Sequence, residues 1–234
     1  MRKLLLGDEA IAQAAIDSGL SGVYAYPGTP STEITEFIQL REEKRGDAEN
    51  KICCRWATNE KTAMEGALGM SYMGKRALVC MKHVGMNVAA DPFVNSAMTG
   101  VNGGMVVLAA DDPSMHSSQN EQDSRFYGKF AMMPIFEPSN QQEAYDMTRA
   151  AFELSEAVKL PVLMRVTTRM AHSRAVVNVT EEPRKQNEIS RPEDVRRWIL
   201  LPAFAKKRYV ELLAQQDDLQ KASVESKYNF YRKG

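Results

Sequence analysis

The sequence contains only three cysteines, Cys53, Cys54 and Cys80, an odd number without metal-ligand spacing. That scarcity excludes a disulfide scaffold and a cluster held by four thiolates, and the three read as small core residues of a reduced, cytoplasmic protein. Long apolar runs are also missing. No stretch approaches the roughly 18 residues of a membrane span, and the N-terminal leucines Leu4 to Leu6 give way to Gly7 and Asp8 too early for a secretory signal. Net charge is absent as well: 30 basic and 30 acidic residues cancel. No global field therefore draws the chain to nucleic acid or to an anionic membrane. Neither GxGxxG nor GxxxxGK[ST] occurs, nor HExxH, CxxC or the G-x-S-x-G elbow. These absences remove the dinucleotide, P-loop, zincin, redox-pair and hydrolase signatures. No metal-ligating set is assigned.

What remains is a chain of 234 residues, long enough for one large domain and an appendage. From Gly22 to about Val177, short β-rich runs alternate with amphipathic helical stretches, which predicts an α/β, doubly wound, mainly parallel sheet. Helices are expected over Asp8 to Ser18, from a Ser31 cap to about Lys44, and over Glu60 to Met73, Met86 to Met98 and Gln141 to Val158. Strands are expected at Val23–Tyr26, Lys51–Ala57, Arg76–Lys82, Gly104–Ala110, Met133–Phe136 and Pro161–Thr167. After Val177 the composition turns charged and proline-bearing, as an exposed linker would be. One further helix is expected from Ala203 to about Ser226. The division is thus 1–178 as the main domain and 179–234 as linker and helix. The sequence stops at Tyr231-Arg232-Lys233-Gly234 without a closing element, as expected of a fragment of a longer protein.

In an open parallel sheet, ligands sit beyond the carboxyl ends of the strands. Four strand-end turns stand out: Pro27-Gly28-Thr29-Pro30, Thr58-Asn59-Glu60, His83-Val84-Gly85 and the polar loop Asp111 to Asp123. Glu60 opens a helix beside Asn59, the expected cap. At roughly 100° per residue, Ala63, Met64, Ala67, Met70 and Ser71 share its azimuth while Thr62, Glu65 and Gly69 face away. A carboxyl on that apolar face suits proton exchange with a bound heterocycle. Taken alone, it reads more simply as a first-turn carboxylate favouring the helix dipole. Gly28 and Thr29, held between prolines at a helix head, can receive an anion or merely form a rigid turn. His83 can donate to a carboxylate or be a satisfied strand-end histidine. His116, in a segment dense with polar groups, belongs to a lid or to an ordinary surface loop.

Three blocks change this balance. VYAYPGTPSTEI, ATNEKTAMEGALGMSYMGKRALVCMKHVGMNVAADP and GGMVVLAADDPSMHSSQNEQDSR together resemble the N-terminal domain of the indolepyruvate:ferredoxin oxidoreductase alpha subunit, over roughly residues 1–177. The resemblance implies a pyrimidine-binding domain for thiamine diphosphate in an enzyme that oxidatively decarboxylates aryl pyruvates to acyl-CoA and passes electrons to ferredoxin. It implies that Glu60 matches the glutamate that hydrogen-bonds the aminopyrimidine and activates the cofactor. It places Gly28 and Thr29 at the cofactor and Thr29, His83 and Asn87 beside the 2-oxoacid.

The full family subunit also has a diphosphate-binding domain with a GDG…N magnesium motif and a ferredoxin-like domain carrying 4Fe-4S clusters. Neither is present in this sequence, since the Gly-Asp pairs at Gly7 and Gly46 lack the following glycine. Magnesium, the clusters, a beta subunit and a dimeric assembly are therefore expected to come from elsewhere, and the chain alone is expected to be inactive. Two other readings stay open. One is the pyrimidine-domain subunit of a non-oxidative thiamine-dependent decarboxylase; the other is a non-catalytic interaction domain.

Overall fold

The computed structural model describes residues 1–46, 49–192 and 194–231. The chain runs β1 (Arg2–Leu6), α1 (Gly7–Asp17), β2 (Leu20–Ala25), α2 (Thr32–Lys44), β3 (Cys53–Trp56), α3 (Glu60–Tyr72), β4 (Arg76–Lys82) and α4 (His83–Thr99). It continues through β5 (Met105–Asp111), α5 (Arg125–Ala131), β6 (Ile135–Phe136), α6 (Gln141–Val158), β7 (Val162–Thr167), α7 (Thr168–Ala171) and β8 (Arg174–Asn178). The main sheet is parallel throughout, in the order β3-β2-β4-β5-β7-β6. The doubly wound α/β fold expected from the alternation is the fold observed.

Why this sequence builds two covered faces is visible along β4. Leu78 and Cys80 point into a core with Ile11, Ile34, Ile38 and Phe152 from α1, α2 and α6. Val79 and Met81 point the other way, into a core with Met64, Leu68, Met86 and Phe93 from α3 and α4. Every residue of β4 and β5 is buried, so these strands read as continuous apolar runs rather than as alternations. Burying each large aliphatic or aromatic side chain contributes about 1.5–3 kcal/mol. The edge strand β3 differs: Cys53 and Cys54 are only half-buried, and Cys80 alone of the three thiols is a core residue.

Four expectations are corrected. First, β1 and β8 form a separate two-stranded antiparallel sheet, Leu4 opposite Val176, where no N-terminal strand was expected. Second, α4 starts at His83, not Met86, and a short helix α5 follows the polar loop. Third, Ser31 does not cap α2 with its side chain; its hydroxyl donates to Gly28 O at 2.9 Å. Fourth, the final helix is two, α8 (Pro202–Ala214) and α9 (Gln216–Val224), parted at Gln215.

The charged stretch after β8 is largely exposed, yet it is anchored rather than free. Arg184 N donates to Asp17 O at 2.8 Å, and Ser190 N to Met73 O and Gln186 Nε2 to both Leu20 O and Asn50 O at 2.9 Å. Trp198 stacks on Tyr72 with ring centroids 4.2 Å apart. These contacts strap the segment across the amino-terminal ends of the central strands, opposite the strand-end turns. The final residues Arg232 to Gly234, on which the abrupt-end expectation rested, lie outside the described residues.

Candidate functional site at the strand ends

The crossover from β2 leads to β3 on one side, and the next returns past β2 to β4 on the other. The crevice of such a sheet opens where successive crossovers diverge, here above the carboxyl ends of β2 and β4. Ala25 is in register with both Trp56 and Cys80, so the turns that leave these three strands begin side by side.

From β3 comes Glu60. Asn59 caps α3, its side chain accepting from Thr62 N at 2.9 Å, which sets Glu60 as the first helical residue. Ala63, Met64, Ala67 and Ser71 are buried and Glu65 and Gly69 exposed, the orientation expected from the helical azimuths. Glu60 is 9% exposed, and its carboxylate makes no hydrogen bond or ion pair among the described residues. It rests against the first turn of α4: a Cβ on Gly85 would lie 2.5 Å from Glu60 Oε1 and 2.6 Å from its Cγ. Gly85 is thus the residue that lets the carboxylate in. It falls in one of the four strand-end turns but has no role assigned from the sequence, although a glycine two residues beyond a strand-end histidine is the available signal.

From β2 comes the Pro27–Pro30 turn. Gly28 N donates to Thr32 Oγ1 at 2.9 Å and Gly28 O accepts from Ser31 N at 3.0 Å, so the turn is closed on the head of α2. A Cβ on Gly28 would stand 3.3 Å from Lys82 Cβ; the turn therefore leans on the residue that precedes His83. Thr29 is exposed, and its hydroxyl has no protein partner among the described residues. Contacts from Gly28 to Lys82, and from Gly85 to Glu60, join the three turns into one surface.

His83 lies in the helix and is wholly buried. Its Nε2 meets Asn120 O at 3.0 Å, and its buried Nδ1 has no partner. Asn87 is exposed and donates to Gln122 Oε1 at 2.9 Å, while the Tyr127 hydroxyl donates to its amide oxygen. Lys82 Nζ donates to Ser117 O at 2.6 Å. The polar loop is thus fastened along the first turns of α4, from Lys82 to Asn87, and is not a detached surface loop; His116 at its tip is exposed.

Asp111 and Asp112 hold the loop's two ends. Asp111, fully buried, accepts from Arg165 Nε at 2.7 Å and from Ser124 N at 3.1 Å. Asp112 accepts from Ser117 N at 2.8 Å, Ser118 Oγ at 2.6 Å and Thr168 Oγ1 at 3.0 Å. Burial alone would raise the Asp112 carboxyl; the donors from Ser118, Ser117, Thr168 and the His116 amide outweigh it and hold the group well below the usual carboxylate range.

The surface so assembled offers a carboxylate in a glycine-cleared niche and a free hydroxyl at a switch point, both without partners among the described residues, while the unpartnered His83 Nδ1 is buried beneath it. A carboxylate and a hydroxyl so placed can hydrogen-bond a polar ligand that enters from the strand ends.

Residues 13–218 match the family described as "Pyruvate flavodoxin/ferredoxin oxidoreductase, thiamine diP-bdg". The chain is 45% identical to the indolepyruvate oxidoreductase subunit IorA of Archaeoglobus fulgidus, across 98% of this chain and 37% of that protein. It is 43% identical to the same subunit of Thermococcus kodakarensis, across 98% of this chain and 35% of that one. The 2-oxoglutarate synthase subunit KorA of Methanothermobacter thermautotrophicus is 26% identical across 75% of this chain and 47% of its own length. The chain therefore spans little more than a third of the indolepyruvate relatives. In fold it is similar to a 2-oxoglutarate:ferredoxin oxidoreductase from Magnetococcus marinus, with a TM-score of 0.70 at 18% identity, covering 99% of this chain and 46% of that one.

Proposed function

Since the chain belongs to the pyruvate flavodoxin/ferredoxin oxidoreductase family of thiamine diphosphate-binding domains, we propose that it supplies the pyrimidine-facing half of that cofactor's site. The observation that carries this reading is the buried Glu60 carboxylate, unpartnered among the described residues and packed against Gly85 where three strand-end turns meet. A buried carboxylate without a donor is costly, and a proton shared with a bound ring nitrogen would remove that cost.

Thiamine diphosphate, when bound, supplies the electron sink that no side chain offers. Glu60 would share one proton with the pyrimidine ring nitrogen, donating when the carboxyl holds it and accepting when the ring does. Gly85 keeps the carboxylate seated and Gly28 lets the β2 turn approach. Thr29 offers its hydroxyl to the 2-oxoacid, with His83 and Asn87 lining the same side. The fastened polar loop limits water at the head of α4.

The substrate class follows the relatives. Identity to indolepyruvate oxidoreductase subunits is 45%, against 26% for the 2-oxoglutarate synthase subunit. The reaction proposed is oxidative decarboxylation of an aryl pyruvate to acyl-CoA, with ferredoxin as electron acceptor. In this reading residues 1–178 form the pyrimidine-binding domain and residues 179–234 lead onward. The diphosphate, its magnesium and the 4Fe-4S clusters are held by other segments, with a beta subunit and a second copy completing the enzyme. No helix among the described residues is long and apolar enough to cross a membrane.

The test is Glu60→Gln in the complete alpha subunit assembled with its beta subunit. Proton exchange at the cofactor's thiazolium carbon should slow by about 10²–10⁴-fold, the span of a general acid–base contribution. Exchange at the wild-type rate would overturn the assignment.

A further inference from the structure

On the other face of the sheet from Glu60, three residues far apart in sequence converge. Asp8 lies in the first turn of α1, Glu33 in the first turn of α2, and His172 directly after α7. One donor atom from each lies within 4.8 Å of the others. His172 Nε2 is 3.5 Å from Glu33 Oε1.

The cluster is more than an acidic patch because its innermost member is stranded. Asp8 is 0% exposed, and neither of its carboxylate oxygens has a hydrogen-bond partner; Glu33 Oε2 is buried without one as well. A buried carboxyl without donors is costly; a proton lowers that cost but leaves its oxygens unpaired, whereas a cation held by all three converging side chains satisfies them. The helix amino-termini at Asp8 and Glu33 offset only part of that cost.

We propose that Asp8, Glu33 and His172 bind a divalent transition-metal ion of the zinc class. An imidazole with two carboxylates suits Zn²⁺ over the hard cations, which prefer oxygen alone. Donors around a tetrahedral zinc with bonds of about 2.0–2.1 Å stand roughly 3.4 Å apart, so the cluster needs only modest closure. Glu33 and His172, whose side chains are 37% and 36% exposed, would supply it by turning toward Asp8. The same exposure gives the ion an entry path and leaves a position for water. The ion's role is to pin α1, α2 and the end of α7 together. Because Glu33 follows closely on the Pro27–Pro30 turn, it also steadies the backbone that carries Thr29.

The experiment is calorimetric titration of the chelator-treated full chain with ZnCl₂ near neutral pH, alongside Asp8→Asn, His172→Gln and a Cys53→Ser/Cys54→Ser variant. One equivalent should bind to the wild type and to the cysteine variant, with affinity at least about tenfold weaker in the other two and a zinc-dependent rise in Tm only where binding is retained. His172→Gln, at a surface position, keeps the test decisive if Asp8→Asn fails to fold. Absence of stoichiometric binding by the folded wild type overturns the proposal. So does binding that Asp8→Asn and His172→Gln leave unchanged, or binding that disappears with Cys53 and Cys54.

Discussion

Glu60 is seated directly on the backbone of Gly85: a methyl group there would lie 2.5 Å from Glu60 Oε1, 2.6 Å from Cγ and 2.8 Å from Cδ. All three atoms belong to a side chain at the mouth of a crevice, so the contact can be relieved by swinging the carboxylate away. Gly85→Ala should therefore cost the fold less than the about 1–3 kcal/mol of a core overpacking, while displacing the group assigned to the cofactor. In the assembled enzyme, thiazolium proton exchange should fall toward the Glu60→Gln level, with Tm near that of the wild type. A variant with normal exchange would show that the niche is not needed.

Arg76 is the polar counterpart at the opposite end of β4. It is 0% exposed, and its guanidinium meets Glu156 at 2.9 and 2.6 Å, Glu153 at 2.9 Å and Ser18 O at 2.9 Å. Glu156 also accepts from Asn187 Nδ2 at 2.8 Å, which ties in the strap after β8. Arg76→Met removes the only cation that is wholly buried in this knot. Destabilisation of about 3 kcal/mol, the lower end for breaking a buried pair, is expected because Glu156 keeps Arg184 and some solvent. Urea denaturation would register this as a fall in midpoint, and the same variant should expose residues 184–190 to protease.

Much of this arrangement was legible because the signals are local. The β-rich run from Arg76 to Lys82 marked β4, and the amphipathic stretch from Gln141 to Val158 marked α6. The face of α3 followed from its periodicity. What escaped lacks such marks. Lys82 gives α4 no capping side chain, so nothing in the sequence announced a helix at His83. The β1–β8 pair joins Arg2–Leu6 to Arg174–Asn178, a non-local pairing that neither strand declares by itself. The strap after β8 is held by polar side chains reaching backbone carbonyls, and those residues are the types that usually mark a solvated linker. Asp8, Glu33 and His172 are brought together only by the packing of α1 on α2 and the return of the chain after β7.

The half-buried thiol of Cys54 should be chemically quiet. Burial first, then the charge of Glu42, push it up to about 12, so near pH 8 on the order of one molecule in 10⁴ carries the thiolate that reacts. Iodoacetamide should label Cys54 far more slowly than a free thiol, and buried Cys80 likewise, until denaturant exposes both. Peptide mass mapping of the labelled positions would check this; rapid native labelling at Cys54 would contradict the burial described.

The polar loop should open with acid. Its hydrogen bonds to Asp112 come from Ser117 N, Ser118 Oγ and Thr168 Oγ1, and they favour the ionised carboxylate, so the folded group gives up its proton at lower pH than it does in the unfolded chain. The sign follows. The stability contributed is complete above the ordinary aspartate value of about 4 and is lost as pH falls below it toward the folded value. Amide exchange at Ser117 should thus stay protected at neutral pH and, after correction for the intrinsic rate, lose protection progressively below about pH 4. Asp112→Asn should show at neutral pH the loosened loop that the wild type shows in acid, because an amide oxygen accepts these bonds without the charge that strengthens them. Equal protection at Ser117 in variant and wild type would mean that Lys82 and His83, holding Ser117 O and Asn120 O, fasten the loop without Asp112.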